Sequence, residues 1–307
     1  MSEKTSSILT LKQAKKQFTA YGCTLFAYGL IVYLSQSFIP YMIPFIQQYL
    51  AINSEYLTLI IRIVVILLGI IIPFGLFQIL TKTSIKDFTQ KSNVTLLDLI
   101  KYSIVFTSIN MLMLFVTSMV TRFFTVDTPS LLPVGVYVGD YNLYNPLFLV
   151  LVILILPICE EYVFRGVTLR YLGKFSNHFA IMSISILYAL AFGNIIDSIA
   201  AGLFSAFLCL VTLRYKNFLV AVFIHIFNNL FLVLLSFALI QHYLVGIGLL
   251  FLLYFMAIVV LIKGYDNRIL VKKEKNSMML LKVFFSNFAI ILCVILFICT
   301  SLIQQFI

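Results

Sequence analysis

The feature that most restricts what this chain can become is a succession of apolar segments about twenty residues long, repeating from Phe18 to Ile303. About twenty apolar residues make a helix that crosses the hydrocarbon core of a bilayer, where only helices and closed barrels satisfy their own backbone. The segments are continuously apolar rather than alternating, which points to helices. Spans are expected over roughly 18–37, 56–80, 97–120, 147–172, 179–192, 195–214, 218–241, 243–262 and 280–303. The fold class is therefore all-α: a polytopic membrane bundle of about nine helices in one integral domain, 1–307. Composition agrees, with 62% hydrophobic and 10% charged residues against about 45–50% and 25% in soluble domains.

The net charge of +10 does not form a nucleic-acid face, because the lysines and arginines fall between the spans. The N-terminus and the stretches 82–101, 165–174, 214–216 and 263–275 are basic, while the intervening loops hold Arg122 with acidic or neutral residues. By the positive-inside rule this is a multi-pass protein of the cell membrane with a cytoplasmic N-terminus, and nine spans put the C-terminus outside. Pro40 and Pro44 are expected to end the first span, 121–146 reads as an irregular outer loop, and the basic linker 263–275 is expected to lie against anionic lipid. The five cysteines include no C-x-x-C pair, so neither a disulfide framework nor a zinc cluster follows.

One span breaks the apolar rule. Leu156-Pro157-Ile158-Cys159-Glu160-Glu161-Tyr162-Val163-Phe164-Arg165 places two carboxylates and a guanidinium within a membrane helix. An ionised group at that depth costs about 2.5–3.5 kcal/mol, so it must pair, face water or do chemistry. Glu161 and Arg165 are four residues apart and share a helix face, whereas Glu160 is turned by about 100° from Glu161. Glu161 is thus expected to be neutralised by Arg165, leaving Glu160 free. At about 1.5 Å per residue, Glu160 lies roughly 15 Å from the inner end of its span and His225 roughly 14 Å along another. Asn229 shares the face of His225, with Asn228 as the adjacent alternative. Glu160 is expected to look across a wet pocket at His225, an arrangement able to activate water. Glu–Arg and His–Asn pairs can equally serve to hold helices together.

Glu160-Glu161-x-x-x-Arg165, followed some sixty positions later by His225-x-x-x-Asn229 on a separate span, resembles the CPBP (Abi) intramembrane proteases. That family includes CAAX-prenyl endopeptidases and bacteriocin-processing or self-immunity proteins. The resemblance covers residues 90–240, implies an eight-helix core, and leaves the span at 280–303 as an addition. It implies that Glu160 is the general base, that His225 and Asn229 position water and stabilise the oxyanion, and that Glu161 and Arg165 support the site. It also implies a hydrophobic or membrane-associated peptide as substrate. The family's middle motif, F-x-x-x-H, departs here: Tyr188 stands at the aromatic position and Phe192 replaces the histidine. With at most Glu160 and His225 as metal ligands the set falls short of the three that catalytic zinc uses, so no cofactor is expected.

Two functions stay open. One is a peptidase, weakened by the lost donor at Phe192 by about 2.7–4 kcal/mol, or 100–1000-fold. The other is a non-catalytic relative that holds an envelope protein in the membrane. A transporter is disfavoured, since neither inverted repeats nor paired broken helices are evident.

Overall fold

The computed structural model describes residues 2–50, 52–83, 89, 94–124, 145–191, 195–263 and 276–306. Ten helices account for nearly all of them: α1 Ser2–Gln47, α2 Ser54–Thr81, α3 Leu96–Phe124, α4 Pro146–Gly173, α5 Asn177–Leu190, α6 Ile195–Tyr215, α7 Phe218–Gln241, α8 Tyr243–Ile262, α9 Ser277–Phe285 and α10 Phe288–Phe306. The all-α polytopic class stands.

Among the described residues, seven helices are long and apolar enough to cross a membrane, eight if the pair α9 and α10, bent by 70°, counts as one span. The expected count of nine is corrected at α5. This helix has 14 residues, and at 1.5 Å each it reaches roughly 21 Å, short of the roughly 30 Å core. A second correction concerns α1, which runs through Pro40 and Pro44 to Gln47 instead of stopping. Most of the outer loop, the linker 264–275 and the stretch Phe192-Gly193-Asn194 lie outside the described residues.

Side-chain caps set where the helices start. Asn145 accepts from the N–H groups of Leu147 and Phe148, with Pro146 in the first turn where its missing N–H costs nothing. Its amide also donates to Glu55 Oε1 at 2.7 Å, tying the start of α4 to the start of α2. Ser176 caps α5 and Asn217 caps α7 in the same manner. Thr95 and Asp98 bond reciprocally at the start of α3, a capping box with aspartate in the third position.

The basic ends gather at one end of the bundle. Thr89 and Asn217 form a β-bridge that joins the α2–α3 connection to the α6–α7 turn. The Arg214 guanidinium lies 5.9 Å over the Tyr102 ring. Tyr171 near the end of α4 donates to the Gln17 carbonyl of α1, and Ser277 at the start of α9 is 3.0 Å from Ser176. Near this end Phe18, Phe179 and Phe284, each without exposed surface, meet edge to face or tilted and lock α1, α5 and α9 together. α4 sits at the centre, packed against α2, α5, α6 and α7.

Candidate active site

Helix α4 is not a regular helix. Its turns widen to a five-residue register over Leu151–Ile155 and again over Tyr162–Thr168. Such π-segments are frequent at functional sites. The first has an identifiable cause. Leu156 N–H reaches back to the Leu151 carbonyl, and the next donor in that register would belong to Pro157, which has none. The acceptor left over is the Val152 carbonyl, and Asn229 of α7 supplies the missing donor through Nδ2 at 3.0 Å. Between the two widened stretches lies one ordinary turn, Leu156–Glu161, and it carries both glutamates.

Glu161 and Arg165 are both fully buried, and Arg165 Nη1 donates to Glu161 Oε1 at 3.1 Å, as the four-residue spacing requires. Arg165 Nη2 donates to the Ser205 carbonyl of α6 at 3.1 Å. The guanidinium also lies 5.2 Å over the Tyr188 ring and 5.8 Å over Phe164. A buried ion pair stabilises only when its remaining valences are also satisfied. Here one cation links two helices and is faced by two aromatic rings, while Glu161 Oε2 is buried without a hydrogen-bond partner.

The structure corrects the partner of His225. Its Nδ1 lies 2.8 Å from Glu161 Oε1, so the imidazole is bonded to the second glutamate rather than waiting across a pocket from the first. The acidic pair and the imidazole do sit at one level. The choice between adjacent carboxylates is made by helix phase, because the face that brings Glu161 to Arg165 also brings it to α7. A carboxylate only accepts, so Nδ1 carries the proton and Nε2 is the ring nitrogen Glu161 does not engage. His225 remains within electrostatic reach of Glu160. Its ring meets the Phe204 edge at 4.9 Å.

Glu160 is part-exposed, unlike its neighbour. Its Oε2 accepts from the Tyr188 hydroxyl at 2.6 Å, the distance of a strong charge-assisted bond. Tyr188 stands near the far end of the short helix α5, roughly 18 Å from its start, which sets the phenol at the level of the acidic pair. The sequence placed Tyr188 only as an aromatic position. The signal for more was its hydroxyl, in a stretch where phenylalanine would fill the same space.

The asparagines form a chain. Asn110 of α3 donates to Asn228 Oδ1 at 3.0 Å, Asn228 donates to Asn229 Oδ1 at 3.2 Å, and Asn229 donates to Val152. Both alternatives on α7 are therefore used, and Asn229 spends one N–H on α4. The pocket expected between Glu160 and His225 is not the cavity found nearby. That cavity lies between α3 and α6, lined by Phe106, Asn110, Phe204 and Phe207 among others, and neither Glu160 nor His225 borders it.

Among the described residues no group of three or more His, Cys, Asp or Glu side chains comes together to hold a metal ion. Glu161, adjacent to Glu160, is already bonded to Arg165 and His225.

Residues 141–231 match a family described as Rce1-like, type II CAAX prenyl endopeptidase Rce1-like. The matched range is narrower than 90–240 and holds Glu160, Glu161, Arg165, Tyr188, His225 and Asn229. No curated protein matches the chain, and no solved structure does.

Proposed function

We propose, from the premise that the segment 141–231 belongs to the Rce1-like CAAX endopeptidase family, that this chain hydrolyses a hydrophobic or membrane-associated peptide within the bilayer, with Glu160 activating water. The observation that carries the reading is the contrast between adjacent carboxylates. Glu161 is fully buried and its Oε1 is shared by Arg165 and His225, whereas Glu160 is part-exposed and its Oε2 accepts from one hydroxyl.

The division of labour follows from charge. Glu161 and Arg165 neutralise each other, so the groups left to react are the Glu160 carboxylate and the imidazole. Glu160 takes a proton from water as the oxygen attacks the scissile carbonyl, and passes it to the leaving amine nitrogen. Negative charge develops on the carbonyl oxygen. His225, its ring anchored on Glu161 through Nδ1–H, is the polar group set to face that oxygen. Asn229 acts through α4: by holding the Val152 carbonyl it fixes the helix turn that aims Glu160. The side chains supply these steps without a cofactor. The basic ends face the cytoplasm by the positive-inside rule, and the substrate enters from that side.

The test is turnover of a membrane-associated peptide by the protein reconstituted in liposomes. Glu160→Gln should lower kcat at least about 100-fold while the protein unfolds at the same denaturant concentration. Wild-type turnover no greater than that of Glu160→Gln sinks the peptidase reading. A second reading, a scaffold that binds an envelope protein, is favoured by Phe192 in place of the histidine. It requires that Glu160→Gln leave the protein's cellular phenotype intact and that Phe192→His gain no turnover.

A further inference from the structure

We infer that Tyr188 is a positioning residue for the general base: its hydroxyl fixes one oxygen of Glu160 so that the other is presented to water. The inference rests on the peptidase reading above and concerns a residue outside the Glu-Glu-x-x-x-Arg and His-x-x-x-Asn pairs.

The hydroxyl donates to Glu160 Oε2 at 2.6 Å, shorter than the usual O–H···O distance of about 2.7–2.8 Å. A carboxylate on a lone side chain can rotate about its last bond, and a bond to one oxygen removes that freedom while leaving Oε1 to work. The phenol is itself tightly held. Its ring is 3% exposed, meets Phe164 edge-on at 5.1 Å, stacks on Phe204 at 6.3 Å and 17°, and receives the Arg165 guanidinium on its face. Phe204 in turn touches the His225 ring. One aromatic stack therefore connects the orienter of the base to the imidazole. A hydroxyl with no task could not be set in so apolar a place cheaply, because a buried polar group without a partner costs about 1–3 kcal/mol.

The chemistry gives this hydrogen bond a role that packing does not explain. Phenylalanine would keep every ring contact and lose only the hydroxyl. In the sequence the residue four positions on is Phe192, which brings no polar atom, so the hydroxyl of Tyr188 is the polar group this motif supplies.

The experiment compares Tyr188→Phe with wild type in two assays on one liposome preparation whose folding is checked by denaturant unfolding. In the first, peptide turnover should fall about 10–100-fold in kcat with KM within about twofold, since a bond to a charged group that orients the base is lost. In the second, the carboxyl is labelled with dicyclohexylcarbodiimide, an apolar reagent that enters bilayers, with Glu160→Gln as the control that identifies the site. A carboxyl released from the phenol should label about tenfold faster. Faster labelling together with lower kcat supports the proposal. Equal labelling of Tyr188→Phe and wild type overturns it, whatever the peptide assay shows. Faster labelling with no turnover by wild type either means the peptidase reading has failed, and the proposal that Tyr188 serves catalysis falls with it. A fall in kcat matched by a rise in KM would assign Tyr188 to substrate binding and overturn the proposal too.

Discussion

Two seams between helices in this bundle are built on opposite principles. Between α1 and α10 the backbones touch: a Cβ added at Gly22 would stand 2.8 Å from the Ala289 Cβ, and one at Gly29 would stand 2.7 Å from a Leu296 methyl. One corner of this seam is polar, where Asn287 reaches the Lys15 carbonyl and the Thr19 hydroxyl. Between α4 and α7 two hydrogen bonds one turn apart on α7 join the helices, Glu161–His225 and Asn229–Val152. In a bilayer, lipid tails are as apolar as side chains, so helices associate through close packing or through hydrogen bonds. The comparison shows what each is for. Shape brings two helices together but leaves individual atoms no direction, whereas a chain of hydrogen bonds aims particular oxygens and nitrogens. The seam that would carry the proposed chemistry is the one built from bonds.

The contrast breaks hardest at Arg165. Arg165→Met strips Glu161 of its guanidinium and the Ser205 carbonyl of its donor, leaving a buried charge, and should destabilise by about 3–5 kcal/mol. Arg165→Lys should recover only part of this, because one ammonium lacks the fork that serves Glu161 and Ser205 together. Unfolding by a titrated denaturing detergent measures both, and an unchanged midpoint for Arg165→Met would show that the polar seam is dispensable. The packed seam is tested by Gly22→Val. Its side chain collides with Ala289, and the overpacking should cost about 1–3 kcal/mol. Peptide turnover per folded molecule should stay as in wild type. If turnover falls while the fold survives, the two seams are coupled and the distinction between them is too sharp.

Local geometry was readable in the sequence wherever it follows from a fixed helical rise or turn. The Glu161–Arg165 pair comes from a spacing of four, and the common level of His225 and the acidic pair comes from counting residues inward from the basic ends. What could not be read depends on how neighbours respond to one another. Pro157 removes a donor, but whether α4 kinks, breaks or widens depends on Asn229 arriving from another helix. The choice of Glu161 over Glu160 by His225 needs the phase between α4 and α7, which small shifts of register decide. Tyr188 reaches Glu160 from the last turn of α5; the sequence placed the end of that helix near 192, but not which side chain of the acidic turn it would meet.

The smallest effects separate the two ends of the asparagine chain and so test whether it conveys direction or only adhesion. Asn229→Leu leaves the Val152 carbonyl without the donor that Pro157 cannot provide, and should destabilise by about 1–2 kcal/mol. Because the same carbonyl sits in the turn preceding Glu160, kcat should fall as well, by about tenfold. Asn110→Ala removes only the outermost donor, and its cost should be near the average for a hydrogen bond between membrane helices, about 0.6 kcal/mol. It should leave kcat unaltered, because Asn229 would keep its hold on α4. If Asn110→Ala lowered kcat as much as Asn229→Leu, the chain would act as one rigid unit from α3 to α4, and the aim of Glu160 would be set by three helices instead of two.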